Sequence, residues 1–146
     1  MLSGGVKRID HVAIVVQSLD EALQFYRDLL GIEPSRLLEF PSEGVNIAFL
    51  PLGGPQGSEI ELLQPAAPDT GIARFLERHG EGLHHICLEV EDIDRALGEL
   101  QAAGAALLDA TTPRPTAGGR GIFLHPRGTH GVLLELIQRE PETGAQ

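Results

Sequence analysis

The chain has 146 residues, of which 42% are hydrophobic: enough for one ordinary core or for two small halves that share one, and too many for a disordered chain. Lys and Arg number 11 against 21 Asp and Glu, a formal charge of −10 that repels the phosphates of nucleic acids and of anionic membranes. The single cysteine, Cys87, permits no internal disulfide, and no N-terminal run has the apolar length of a signal peptide or membrane span. The expectation is a soluble, cytoplasmic protein with no nucleic-acid or membrane partner.

In chain order, Ile9 to Val16 is rich in β-branched residues and reads as a strand. From Ser18 to Gly31, apolar residues at 19, 22, 23, 26, 29 and 30 mark one face of a helix that Ser18 caps and Gly31 ends. Three shorter strands follow near 33–40, 45–52 and 58–64. Pro65 to Pro68 reads as a loop, and Asp69 to His79 as a linking helix that turns Ile72, Ala73, Phe75 and Leu76 inward. The pattern then starts again. Leu83 to Val90 is a strand, Asp92 to Gly104 a helix, and strands follow near 105–110, 121–125 and 131–138, before a polar tail after Glu140.

An offset of 74 residues superposes the two halves. His11-Val12-Ala13-Ile14-Val15-Val16 meets His85-Ile86-Cys87-Leu88-Glu89-Val90, Gly44 meets Gly118, Glu61-Leu62 meets Glu135-Leu136, and Gln64 meets Gln138. The expected architecture is α+β, with a βαβββ module at 8–65, a linker helix at 66–82 and a second module at 83–139. Two copies suit one pseudo-symmetric domain spanning 1–146, with a curved, cup-shaped sheet.

Strand alternation decides which residues share a face. Val12, Ile14 and Val16 form the row that meets the helix, so His11 points the other way; Ile86, Leu88 and Val90 set His85 apart in the same manner. Glu61 lies opposite Ile60 and Leu62, and Glu135 opposite Leu134 and Leu136. Two histidines and two glutamates are thereby expected on the open concave side. One strand histidine or glutamate alone is ordinarily a packed or solvated residue, but the same types recur at 11/85 and 61/135. Two imidazoles and two carboxylates suit a divalent transition metal with positions left for substrate oxygens. His84, of opposite parity, is expected on the packed side.

From Ala110 to Leu134 no acid occurs, yet Arg114, Arg120, Arg127, His125 and His130 do. Thr116-Ala117-Gly118-Gly119-Arg120-Gly121 reads either as an anion-binding loop in which Arg120 adds forked donors, or as a hairpin with solvated arginines. The glycines lack the strand–helix spacing of nucleotide-binding fingerprints.

These residues resemble the vicinal oxygen chelate (glyoxalase/bleomycin resistance) superfamily and, within it, the methylmalonyl-CoA epimerases. The stretches that carry the likeness are Ile9-Asp10-His11-Val12-Ala13-Ile14, Glu59-Ile60-Glu61-Leu62-Leu63-Gln64-Pro65, Gly80-Glu81-Gly82-Leu83-His84-His85-Ile86, and His125-Pro126-Arg127 with Gly131-Val132-Leu133-Leu134-Glu135-Leu136. The resemblance implies paired modules around one divalent metal ion per chain, cobalt first, with nickel, zinc or manganese compatible, and His11, Glu61, His85 and Glu135 as ligands. It implies C2 epimerisation of methylmalonyl-CoA through a metal-stabilised enolate, Glu135 doubling as a catalytic base, and a homodimer. The CoA moiety of the thioester substrate is assigned to Arg114, Arg120 and Arg127. One departure stands out: some bacterial epimerases carry a second glutamate after a Gly-Val pair, where Gly44-Val45-Asn46-Ile47 here has Ile47. The second base is then Glu59, Glu89 or a water on the metal. Two alternatives share the fold: a glyoxalase I-type lactoylglutathione lyase and a non-catalytic protein that sequesters a ligand.

Overall fold

The structure is a computed structural model in which residues 1–108 and 112–141 are described. Ala110, the start of the acid-free segment, the end of the strand expected at 105–110, and most of the polar tail lie outside the described residues. The chain divides into two compact units, one of His11–His84 and one of Met1–Asp10 with His85–Gln146. The division falls within strand β1, Val6–Val15, and just after the start of strand β5, Gly82–Val90.

In the first unit, β2 (Arg36–Phe40), β3 (Val45–Leu52), β4 (Ser58–Pro65) and the second half of β1 lie side by side in that order. The β1–β4 pair is parallel and the others antiparallel. Ile14, Val16, Ala48, Leu50, Ile60 and Leu62 are the row that meets Leu19, Ala22, Leu23 and Tyr26 of the helix, as alternation predicts. The helix opens as α1, Leu19–Leu23, with the Ser18 hydroxyl accepting from Glu21 N–H. It then widens into a π turn at Gln24–Leu29, where Leu30 N–H bonds Phe25 C=O. That wider turn rotates the last residues off the helical stripe. Leu29 and Leu30, expected to face inward, are instead exposed. The linking helix is α2, Gly71–His79, shorter than Asp69 to His79, with Ile72, Ala73, Phe75 and Leu76 half-buried.

In the second unit β5, β9 (Leu134–Arg139), β8 (Gly119–Leu124) and β6 (Leu107–Leu108) are neighbours in that order. An additional strand that the sequence reading omitted, β7 (Arg114–Thr116), pairs with β8. Helix α3, Ile93–Ala102, is capped by Asp92 and packs Ile93, Ala96 and Leu97 against Val90, Ile122, Leu124 and Leu136. The α+β class holds in both units.

The repeat extends to individual hydrogen bonds. Gly44 C=O accepts from Ala66 N–H at 2.8 Å, and Gly118 C=O accepts from Glu140 N–H at 3.0 Å, each partner 74 residues from its counterpart. The helix ends depart from that offset. The left-handed glycines Gly31 (φ 79°) and Gly104 (φ 76°) are 73 residues apart, and the extra residue of the first helix sits in its π turn.

Candidate metal centre

In the first unit, Ala13 is the register partner of Glu61 across the parallel β1–β4 pair, so His11 is the diagonal neighbour of Glu61 on the same face. The His11 Nδ1 lies 3.2 Å from Glu61 Oε2. In the second unit the relation recurs: Cys87 is the partner of Glu135 across the parallel β5–β9 pair, and His85 Nε2 lies 3.1 Å from Glu135 Oε1. Identical register on the two strand pairs yields the same His–Glu couple twice.

The four residues expected on the open concave side have little solvent access of their own. His11, Glu61, His85 and Glu135 are 4%, 5%, 7% and 4% exposed, and Ala13, Val15 and Cys87, of the same parity, are fully buried. Apolar residues flank the polar pairs on the same faces. On the face of Glu61, antiparallel pairing sets Phe49 opposite Glu61 and Ile47 opposite Leu63, both buried. On the face of Glu135, Phe123 stands opposite the carboxylate and meets the His85 ring edge-on, centroids 5.2 Å apart. Burial of a carboxylate in such surroundings is costly unless a donor or cation compensates it.

Gly121 is the second-unit counterpart of Ile47, and a Cβ there would come within 2.9 Å of Glu135 Oε2. A glycine is therefore what leaves room for the Glu135 carboxylate. Gly119 is likewise closed in by Gln138 backbone, and Gly118, at φ 85°, would drive a Cβ into Arg139. The Thr116–Gly121 run forms the β7–β8 hairpin, and these three glycines serve close packing in it.

His84 lies on the packed side, edge-on to Phe75 at 4.9 Å. Arg120 is committed to a two-pronged surface pair with Asp94, at 2.9 and 3.3 Å, which holds the Asp94 carboxyl below its usual range. Arg114 and Arg127 are exposed. His125 is a turn cap, its Nδ1 accepting from Arg127 N–H at 3.0 Å. Of the two further acids of interest, Glu89 receives Arg8 Nε at 2.8 Å and Lys7 at 3.9 Å. Glu59 is half-buried and is the register partner of His11.

Sequence reasoning missed Asp10, which is 1% exposed and gripped by Arg139, with Nε to Oδ1 at 2.7 Å and a second bond from Nη2 to Oδ2. The two residues are 129 positions apart. The repeat gave no sign of them, because their counterparts at the 74 offset are His84 and Pro65.

Each His–Glu couple fits a divalent cation. Two ligand atoms about 2.1 Å from one ion on adjacent octahedral corners lie about 3 Å apart, close to the separation seen in both units. All-N/O donors of this type suit cobalt, nickel, zinc or manganese.

The sequence matches the Glyoxalase/Bleomycin resistance protein/Dioxygenase superfamily over residues 10–124. An ethylmalonyl-CoA/methylmalonyl-CoA epimerase of Cereibacter sphaeroides is 42% identical over 135 residues, covering 91% of this chain and 98% of that protein. Among solved structures, the methylmalonyl-CoA epimerase of Mycobacterium tuberculosis superposes with a TM-score of 0.88 at 31% identity, over 100% of this chain and 97% of that one. A methylmalonyl-CoA epimerase in complex with methylmalonyl-CoA and an ammonium ion superposes with a TM-score of 0.86 at 33% identity, over 94% and 97%. A lactoylglutathione lyase of Arabidopsis thaliana is more distant, 28% identical over 137 residues and matched over 45% of its own length. The chain belongs to the glyoxalase/bleomycin resistance superfamily and, within it, to the methylmalonyl-CoA epimerase family.

Proposed function

We propose that this chain is a metal-dependent epimerase that interconverts (R)- and (S)-methylmalonyl-CoA by moving the C2 proton. The observation that carries the reading is the buried His–Glu couple repeated at 3.2 and 3.1 Å on equivalent strand pairs, in a chain of the epimerase family. The lyase alternative has the weaker likeness, and a purely sequestering protein gives no reason for two buried imidazole–carboxylate couples.

His11, Glu61, His85 and Glu135 are the proposed ligands of one divalent ion, cobalt first, with nickel, zinc or manganese compatible with the donors. Such an ion would act as a Lewis acid toward the carboxylate and thioester oxygens of the substrate, where negative charge grows as C2 loses its proton. The protein must supply two proton-handling groups, one for each face of C2. Glu135 is the proposed base on one face: its carboxylate is buried beside His85 and Phe123, and Gly121 leaves space at Oε2. Ile47 holds no proton, so the other face falls to another carboxylate or to water. Glu59 is the proposed group, as the register partner of His11 beside the proposed donors. Apolar Ile47, Phe49 and Phe123 limit water around the couples and so preserve the strength of their electrostatics.

For the CoA phosphates we propose the exposed cations Arg114 and Arg127 and the half-buried Arg120, whose present partner is Asp94. The reading extends to a homodimer, as family likeness implies, and to the cytoplasm, in keeping with the single cysteine; among the described residues no helix is long and apolar enough to cross a membrane. Incubating the metal-loaded protein with one epimer and resolving the products by chiral analysis tests the reading. Formation of the opposite epimer is expected, and full retention of the starting configuration would refute it.

A further inference from the structure

Three strands of the second unit meet in an ionic chain. Arg139, at the end of β9, grips buried Asp10 of β1 through Nε and Nη2. Arg8 approaches the same Asp10 Oδ1 at 3.6 Å and donates through Nε to Glu89 of β5 at 2.8 Å. Each strand also carries a proposed ligand close by in sequence. Asp10 directly precedes His11, Glu89 follows His85 by four residues, and Arg139 follows Glu135 by four.

Energetics argue against reading this chain as a device for stability alone. The Asp10 side chain is fully buried, and a buried ion pair seldom outperforms well-packed apolar residues of similar volume. What such a pair supplies is geometry: two parallel N–H···O bonds fix the carboxylate in distance and in plane. Gly118 belongs to the arrangement. Its lack of a side chain lets Arg139 Nη1 pass where a Cβ would lie only 2.1 Å away, and Nη1 reaches Ala117 C=O at 3.4 Å.

We infer that Asp10 and Arg139, backed by Arg8 and Glu89, form a positioning clamp that holds the β1, β5 and β9 segments in the register the metal donors need. The clamp acts through the backbone beside His11, His85 and Glu135. This inference rests on the proposed metal site.

The fold provides a matched control. Gly44 and Gly118 occupy equivalent repeat positions, both left-handed (φ 63° and 85°), and an added Cβ would collide with Thr70 at 2.2 Å or with Arg139 at 2.1 Å. Gly44→Ala and Gly118→Ala therefore impose like strain, but only the second disturbs the clamp. The measurement is the Kd of cobalt(II) alone, by calorimetry on the metal-free wild type, Gly44→Ala, Gly118→Ala, Asp10→Asn and Arg139→Lys, with thermal midpoints recorded beside it.

The clamp predicts a Kd weaker by about 10- to 100-fold in Gly118→Ala and Asp10→Asn, the usual effect of losing support behind a metal ligand, with a smaller loss in Arg139→Lys. Gly44→Ala should lower the midpoint yet bind cobalt as the wild type does. Equal weakening in the two glycine variants, or wild-type affinity in Gly118→Ala, would overturn the clamp while leaving the metal site standing. A wild type that binds no cobalt would overturn both. If Asp10→Asn does not fold, the glycine pair still decides.

Discussion

Gln138 Oε1 accepts the backbone N–H of Ile93 at 2.9 Å, tying the first residue of α3 to strand β9. Gln64 Oε1 does the same for Leu19 N–H at 2.8 Å, tying α1 to β4. The glutamines thus complete helix N-termini whose first amides have no partner within the helix. They follow Glu61 and Glu135 by three residues, so each strand that presents a carboxylate also fixes its helix. Removing the amide leaves a donor unsatisfied, at a cost of about 1–3 kcal/mol. Gln138→Leu should lower stability by about 2 kcal/mol, since Ile93 is fully buried, and Gln64→Leu by about 1 kcal/mol. Denaturant unfolding of the metal-free proteins checks both values; wild-type stability in both variants would refute the tie.

The proposed ligands should separate cleanly from their neighbour. His11→Ala, Glu61→Ala, His85→Ala and Glu135→Ala are each expected to weaken metal binding by more than about 100-fold, beyond the loss typical of outer-shell changes. Far-UV circular dichroism should stay near that of the wild type. His84→Ala, whose ring packs against Phe75, should retain the metal. Metal analysis after gel filtration reads the outcome, and retention in the His85 variant with loss in the His84 variant would contradict the strand register.

Much of this arrangement was legible because it is periodic. Alternation placed Ile14, Val16, Ile60 and Leu62 on the helix side, and the repeat singled out 11/85 and 61/135 as equivalent pairs. Three features were not. The π turn results from one additional residue in the first helix, which the stripe of apolar positions does not reveal, so Leu29 and Leu30 were misplaced. That Phe49 and Phe123 lie opposite the glutamates is a matter of register between strands. The Asp10–Arg139 bond joins opposite ends of the chain, where neither periodicity nor repeat carries information.

Arg120 offers a test in which its present partner matters. Because Asp94 occupies the guanidinium, Asp94→Asn should free it and lower the Michaelis constant for the CoA ester, whereas Arg120→Ala should raise it by about five-fold, the modest effect of losing one solvent-screened ion pair. Turnover should change little in either variant. The pair also has a pH signature. Asp94 is held low by its hydrogen bond with Arg120, so the stabilisation is complete above the ordinary carboxylate range and disappears as the pH falls through the lowered value. NMR titration of Arg120→Ala should show Asp94 returning upward; unchanged kinetics in both variants would leave Arg120 an ordinary surface residue.

The two faces of C2 should respond to different carboxylates. Glu59→Gln is expected to slow exchange from one epimer by about 100-fold or more, the usual contribution of a positioned base, while Glu89→Gln and Ile47→Val leave both directions within a few-fold of the wild type. Pre-steady-state exchange started separately from each epimer distinguishes the faces. Full exchange from both epimers in Glu59→Gln would exclude that carboxylate and assign the second face to water.

The central claim is proton transfer at C2 of a CoA thioester under the control of a bound metal, and deuterium incorporation into methylmalonyl-CoA in D2O measures it most directly. The cobalt-loaded wild type should incorporate one deuteron at C2 starting from either epimer. Chelation should abolish the exchange, re-addition of metal should restore it, and Glu135→Ala should fail to exchange even at saturating metal. No C2 exchange from either epimer by the metal-loaded protein, together with conversion of a glutathione hemithioacetal, would contradict the epimerase account and establish the lyase in its place.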